Sequence, residues 1–153
     1  MLDTPVTLIQ KQRMERISEH AGIVADTDEL AVVEFRYPPG RSGADPHIHH
    51  GHSDTFYVLE GELVFRVGRE LERIVAPAGT YVGAPPGVVH TFRNEGSEPA
   101  RFLNFHAPSC GFAAYMRDLV AARDTSWFDQ DHPPPDGGPP ASAAIYVLPD
   151  PSR

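Results

Sequence analysis

The feature that most constrains this chain is its rhythm of short apolar runs. Through the middle of the sequence, runs of four to eight residues rich in Val, Phe, Tyr, Leu and Ile are bounded by Gly, Pro and Asn, the pattern of strands joined by tight turns. It predicts strands at Val6–Ile9, Gly22–Ala25, Ala31–Tyr37, Thr55–Glu60, Glu62–Val67, Leu71–Val75, Thr80–Ala84, His90–Asn94 and Ala100–His106. Short strands at this spacing predict an all-β sandwich or barrel of antiparallel sheet. Gly61, between two of the runs, is a natural hairpin hinge because glycine tolerates positive φ. Helical spacing occurs once, from Gly111 to Arg123, where Phe112, Tyr115, Met116, Leu119 and Val120 recur three and four apart. This helix is expected to pack one face on the outside of the sheet.

At 153 residues the chain suits one compact domain. Its 21 acidic and 13 basic side chains give a net charge of −8, which argues against a nucleic acid partner, since phosphate contacts rest on clustered Lys and Arg. A single cysteine, Cys110, excludes an internal disulfide and a cysteine-rich zinc site. No apolar run approaches the ~20 residues that cross a bilayer, and the N-terminus lacks the basic-then-apolar layout of a signal peptide; the expectation is a cytoplasmic protein without membrane contact. Seven of the 16 prolines lie at or after Pro133. The expected organisation is therefore N-terminal strands over 1–30, a barrel core over 31–107, a helix over 108–126 and an extended Pro-rich arm over 127–153. In that arm Ile145–Leu148 is apolar again and is expected to dock on this domain or on a neighbouring subunit.

Histidine is the second telling count: four of eight fall between His47 and His52. His47 and His49, two apart in a segment leading into a strand, share one face by period-two alternation. Asp54 opens the strand that carries Phe56 and Val58, and its carboxylate can project to the same side. His90 begins another strand directly after a Pro-Pro-Gly turn. Three imidazoles and one carboxylate suit one divalent first-row metal per chain, among Fe, Ni, Mn, Co, Cu and Zn, and suit calcium or magnesium badly.

These residues resemble the cupins, whose signature has a first motif G(X)5HXH(X)3,4E(X)6G and a second G(X)5PXG(X)2H(X)3N. Gly79, Pro85, Gly87, His90 and Asn94 match the second in full; His47, His49 and Gly61 match the first. Arg41 stands in place of the leading glycine and Asp54 in place of the glutamate. The run HIHHGHSD followed by FYVLEGEL is most similar to small bacterial quercetin dioxygenase-like cupins. The resemblance implies a double-stranded β-helix, or jelly-roll barrel, with the metal inside, and a homodimer; it does not fix the substrate.

Aspartate is one methylene shorter than glutamate, so three arrangements stay open: the backbone moves in, Asp54 binds through a water, or another group such as His52 fills the position. By alternation His52 can instead hold a ligand by a hydrogen bond. His106 either lines the pocket or caps its strand; His50, His20 and His132 are expected at the surface. Phe56 and Phe92 are expected beside the metal in a substrate pocket, while for Val58 and Leu63 core packing is the better expectation. Cys110, without an evident base, is expected to be inert. The leading functional expectation is a metal-dependent oxygenase acting on a small aromatic or phenolic molecule, with Asp54 taking a proton from a substrate hydroxyl. Metal-assisted isomerisation, cyclisation or elimination is the second, and small-molecule binding without turnover the third.

Overall fold

The computed structural model describes residues 8–123, 126–133, 146–147 and 152. After a single 3-10 turn at Lys11–Arg13, the strands in chain order are β1 (Glu15–Arg16), β2 (Ala21–Asp26), β3 (Ala31–Tyr37), β4 (Ser53–Glu60), β5 (Glu62–Val67), β6 (Glu72–Pro77), β7 (Tyr81–Ala84), β8 (His90–Arg93) and β9 (Ala100–Ala107). Helix α1 (Phe112–Val120) and β10 (Tyr146–Val147) follow. A seven-stranded sheet runs β1-β2-β3-β9-β4-β7-β10 and a three-stranded sheet runs β6-β5-β8. All pairings are antiparallel, and the inner faces of the two sheets share one core.

Alternation decides what is buried. Along β9, Ala100, Phe102, Asn104 and His106 point inward while the residues between them are partly exposed. Cross-strand register sorts these inward positions by depth. Val58 opposes Phe102, Phe56 opposes Asn104, and Asp54 opposes His106; on the other sheet Phe65 opposes Phe92 and Val67 opposes His90. Aromatic side chains therefore fill the middle of the barrel, where the rings of Phe56, Phe65, Phe92 and Phe102 meet at centroid separations of 4.9–6.3 Å. Imidazoles and Asp54 fill one end. Gly61, with φ of +71°, makes the β4–β5 hairpin, and a Cβ there would collide with the carbonyl oxygen of Pro99.

Three elements differ from the sequence reading. Leu8 and Ile9, expected at the end of a strand, lie exposed in irregular backbone, and Val6 and Thr7 fall outside the described residues. Leu71 adopts a φ of +50° in the turn after β5, so β6 starts one residue later. Helix α1 lies at the barrel mouth, not on the outside of the sheet, because its apolar stripe finds partners there: Phe112 stacks on His106 and Tyr115 on Trp127. Tyr146 and Val147 pair with Gly83 and Val82 of β7 in the same chain; Ile145 and Leu148 lie outside the described residues. Among the described residues no helix is long and apolar enough to cross a membrane.

Candidate metal centre

Three stretches of chain meet at the mouth. His47 exchanges backbone hydrogen bonds with His90, N to O at 3.2 and 3.0 Å, and Ile48 does the same with Asp131 at 2.8 and 3.0 Å. The His47–His49 segment is thereby held on both edges. The Pro-Pro-Gly turn adds a third tie: Gly87, at φ +81°, donates its N–H to the carbonyl of His49 at 2.6 Å. The turn that launches His90 also fixes His49, which is why the two motifs converge from opposite ends of the barrel sequence.

All three imidazoles are oriented alike. Nδ1 of His47 donates to the Asp45 carbonyl at 2.7 Å, that of His49 to the Asp129 carbonyl at 2.7 Å, and that of His90 to the Val88 carbonyl at 2.9 Å. A ring whose proton is committed at Nδ1 presents a lone pair at Nε2, the arrangement in which histidines bind metals. One ligand atom from each of His47, His49, His90 and Asp54 lies within 4.8 Å of the others; tetrahedral nitrogen and oxygen donors around a first-row ion at ~2.1 Å stand about 3.4 Å apart. Asp54 Oδ2 approaches Nε2 of His90 at 2.8 Å and Nε2 of His49 at 3.3 Å. With both Nδ1 protons committed, these contacts set lone pairs against a carboxylate oxygen, so a proton or a metal cation belongs between them. The donor set fits a divalent metal, and the group that could hold one contains Asp54 and not His52.

The charge states agree. Burial would push the Asp54 carboxyl up, but the His106 ring and hydrogen bonds from His49 and His90 outweigh it and hold Asp54 well below the usual carboxylate range. Burial, reinforced by neighbouring His90, lowers His47 to about 3 and leaves it neutral. Burial would lower His90 as well, but its hydrogen bond to Asp54 prevails and raises it.

His52 belongs to a different arrangement. Its Nδ1 meets Asp129 Oδ2 and its Nε2 meets His106 Nδ1 at 2.7 Å; His106 Nε2 meets Asn104 Oδ1 at 2.9 Å, and Asn104 Nδ2 donates to Asp54 Oδ1 at 2.6 Å. Asn104 Nδ2 also donates to the Thr55 carbonyl at 3.1 Å, so two acceptors fix the amide. Its Oδ1 then accepts from His106 Nε2–H, and His106 Nδ1 accepts from His52 Nε2–H. At the other end of the row His52 Nδ1 faces Asp129 Oδ2. Trp127 packs over this row, its ring 5.1 Å from that of His49 and 5.0 Å from that of His52, with Nε1 donating to the Cys110 carbonyl at 2.7 Å. Trp127, Asp129 and Asn104 were not legible as site residues; the lone tryptophan of the chain at the edge of a Pro-rich tract was the available signal for the first two.

A cavity of about 410 Å³ opens above the donors. Phe92 and His106 line it, with Tyr37, Tyr115 and Trp127 among the other walls. Phe56 is a correction: at 1% exposure it packs on Phe65 and Phe92 in the layer below, because alternation fixes a side chain's face but not its depth in the barrel. Val58 and Leu63 are in the core. His50 and His132 are exposed, whereas His20, expected at the surface, is half-buried and contributes to the cavity rim. Burial and the Asp129 charge raise the Cys110 thiol, which keeps it protonated.

Residues 33–106 match the family described as Cupin domain. An 86-residue stretch is 33% identical to L-proline trans-4-hydroxylase of Streptomyces griseoviridis, covering 55% of this chain but only 29% of that protein. Among solved structures, an uncharacterized protein with a double-stranded beta-helix domain from Klebsiella pneumoniae is 29% identical, with a TM-score of 0.57 over 68% of this chain and 91% of its own. TT1209 from Thermus thermophilus is 31% identical, with a TM-score of 0.55 over 66% of this chain and 96% of its own. KdgF from Halomonas, 21% identical with a TM-score of 0.56 over 67% and 94%, shares the fold. Motifs, barrel and sequence similarity agree: the chain belongs to the cupin superfamily.

Proposed function

We propose that this protein is a metal-dependent oxidoreductase, an oxygenase, that acts on a small aromatic or phenolic molecule. The observation that carries this reading is the set of three Nδ1-anchored imidazoles and one ionised carboxylate at the floor of an aromatic-walled cavity. The 33% identity with a protein named as a hydroxylase supports oxidative chemistry over part of the chain. A bound first-row metal would supply Lewis acidity or redox capacity at positions left open toward the cavity.

The chain's own residues divide the remaining work. Tyr37, Phe92, Tyr115 and Trp127 offer ring faces to a planar substrate. Phe112 and Trp127 shield the polar row beneath, leaving His49, His52 and His106 at 2% exposure or less, and so keep bulk water from it. Asp54 is assigned as a metal ligand; the proton-taking role expected of it is a poorer fit, because its pKa is depressed, Oδ1 accepts from Asn104 and Oδ2 faces two imidazoles. The reading takes the protein as a cytoplasmic homodimer, testable by light scattering.

Oxygen consumption across a phenol panel, measured after separate loading with iron, nickel and manganese, tests the proposal. Uptake with at least one metal that is lost in His90→Ala is the expected result. No uptake with any metal would overturn the oxygenase reading.

A further inference from the structure

We propose that Asp129, far outside both motifs, is a positioning residue of the metal centre, and that residues 127–131 are a working part of it. Two groups of Asp129 act on the donor segment separately. Its backbone carbonyl accepts the Nδ1 proton of His49 across a separation of 80 residues. Its carboxylate accepts the N–H of His50 at 2.9 Å and that of Gly51 at 3.0 Å, and it meets His52 Nδ1. The loop between His49 and β4 is therefore tied at each residue from His49 to His52 to one aspartate. Asp131 secures the next rung by its two backbone bonds to Ile48, and Trp127 lies against the His49 ring.

The contrast with the other donors explains why His49 needs such a partner. His47 and His90 are anchored by carbonyls two residues away in their own loops, Asp45 and Val88. His49 is anchored instead by a carbonyl from a segment that follows α1 in the chain, and that carbonyl sets its ring direction. Outer hydrogen-bond partners of ligating histidines commonly carry 10- to 100-fold in metal affinity. A rival role for Asp129 exists: it forms, with His52 and Cys110, a group whose ligand atoms lie within 4.8 Å of one another. Its oxygens are already engaged by two backbone N–H groups and an imidazole, and Cys110 keeps its proton, so the role of anchor is the better account.

The inference rests on the reading that His47, His49, Asp54 and His90 hold a metal. Full-length protein is titrated with Co²⁺ alone, following visible absorption and the dissociation constant, with unfolding of each metal-free variant recorded alongside. Asp129→Ala is expected to weaken Co²⁺ binding about 10- to 100-fold and to change the cobalt spectrum, because His50, Gly51 and His52 lose the carboxylate that ties their loop to residue 129, which loosens the His49 Nδ1 bond to the backbone carbonyl that alanine retains. Asp129→Asn retains an acceptor for the two N–H groups and can donate to His52 Nδ1, and it is expected to recover most of the affinity. Glu72 of β6, an exposed carboxylate outside the site, changed to Gln, serves as control and should behave as wild type. Should the alanine variant not fold, Asp129→Ser takes its place, being too short to span the N–H groups and His52 together. Wild-type affinity and spectrum in Asp129→Ala or Asp129→Ser overturn the proposal, as does equal weakening by Glu72→Gln. A second equivalent of cobalt that disappears with Asp129 overturns it by making Asp129 a ligand. Wild-type protein that takes up no cobalt overturns the metal-site reading itself, an outcome distinct from the others.

Discussion

Acidification from pH 7.5 to 5.5 will weaken metal binding through His90. In the metal-free protein the Asp54 carboxylate, 2.8 Å from Nε2, raises the pKa of His90 above its ordinary 6.5. A proton on Nε2 occupies the lone pair that a metal would use, so each metal bound near neutrality releases that proton. The direction follows from mass action: below the His90 pKa, every unit fall in pH multiplies the competing proton concentration tenfold, so apparent affinity falls about tenfold per unit, ~1.4 kcal/mol. His47 does not compete in this range, because its own pKa is lowered to about 3, and Asp54 is ionised throughout. Calorimetric titration in two buffers of different ionisation enthalpy counts the protons released, and repeating it at several pH values gives the slope. Asp54→Asn removes the hydrogen bond and the charge that raise His90, leaving the opposing effect of burial; the fall in affinity should then begin at lower pH. Affinity that is flat from pH 7.5 to 5.5, with no proton released, would refute the assignment of His90 as a ligand whose proton the metal displaces.

Two further outcomes follow from packing and backbone geometry. Trp127 is the only tryptophan and its ring lies 5.1 Å from that of His49, so Co²⁺ or Ni²⁺ should quench the intrinsic fluorescence; unchanged emission from protein shown by mass spectrometry to be loaded would contradict the placement. Gly87→Ala meets no atom within 4 Å and should lose only the left-handed backbone penalty of about 1–2 kcal/mol, while Gly61→Ala also drives a Cβ into the Pro99 carbonyl and should lose distinctly more; urea midpoints compare the two.

The barrel strands and the gathering of His47, His49, Asp54 and His90 were legible because each rests on local pattern. Alternation exposes the inward face of β4 and β9, and glycines at +φ mark Gly61 and the Pro-Pro-Gly turn. What alternation does not encode is position along the barrel axis. Phe56 and Phe92 share the interior, yet only Phe92 reaches the cavity wall, and that difference is set by register between strands distant in sequence. The role of Asp129 was illegible for a related reason. Its contacts bridge 77 to 80 residues, and the prolines that follow it make the whole tail read as an extended arm, although Trp127 and Asp129 are buried against the mouth.

The hydrogen bond from His49 Nδ1 to the Asp129 carbonyl also sets an order of events during synthesis. A chain that has emerged as far as His90 already carries His47, His49, Asp54 and His90, yet the group that aims His49 is about forty residues from being made. Domains begin to fold as they leave the ribosome, so a nascent barrel holds its donors in an unfinished geometry. On the proposal that residues 127–131 aim His49 at a metal, high-affinity capture is a late step, reserved for chains long enough to include that segment, and a product truncated ahead of Trp127 would bind metal more weakly than the longer chain does.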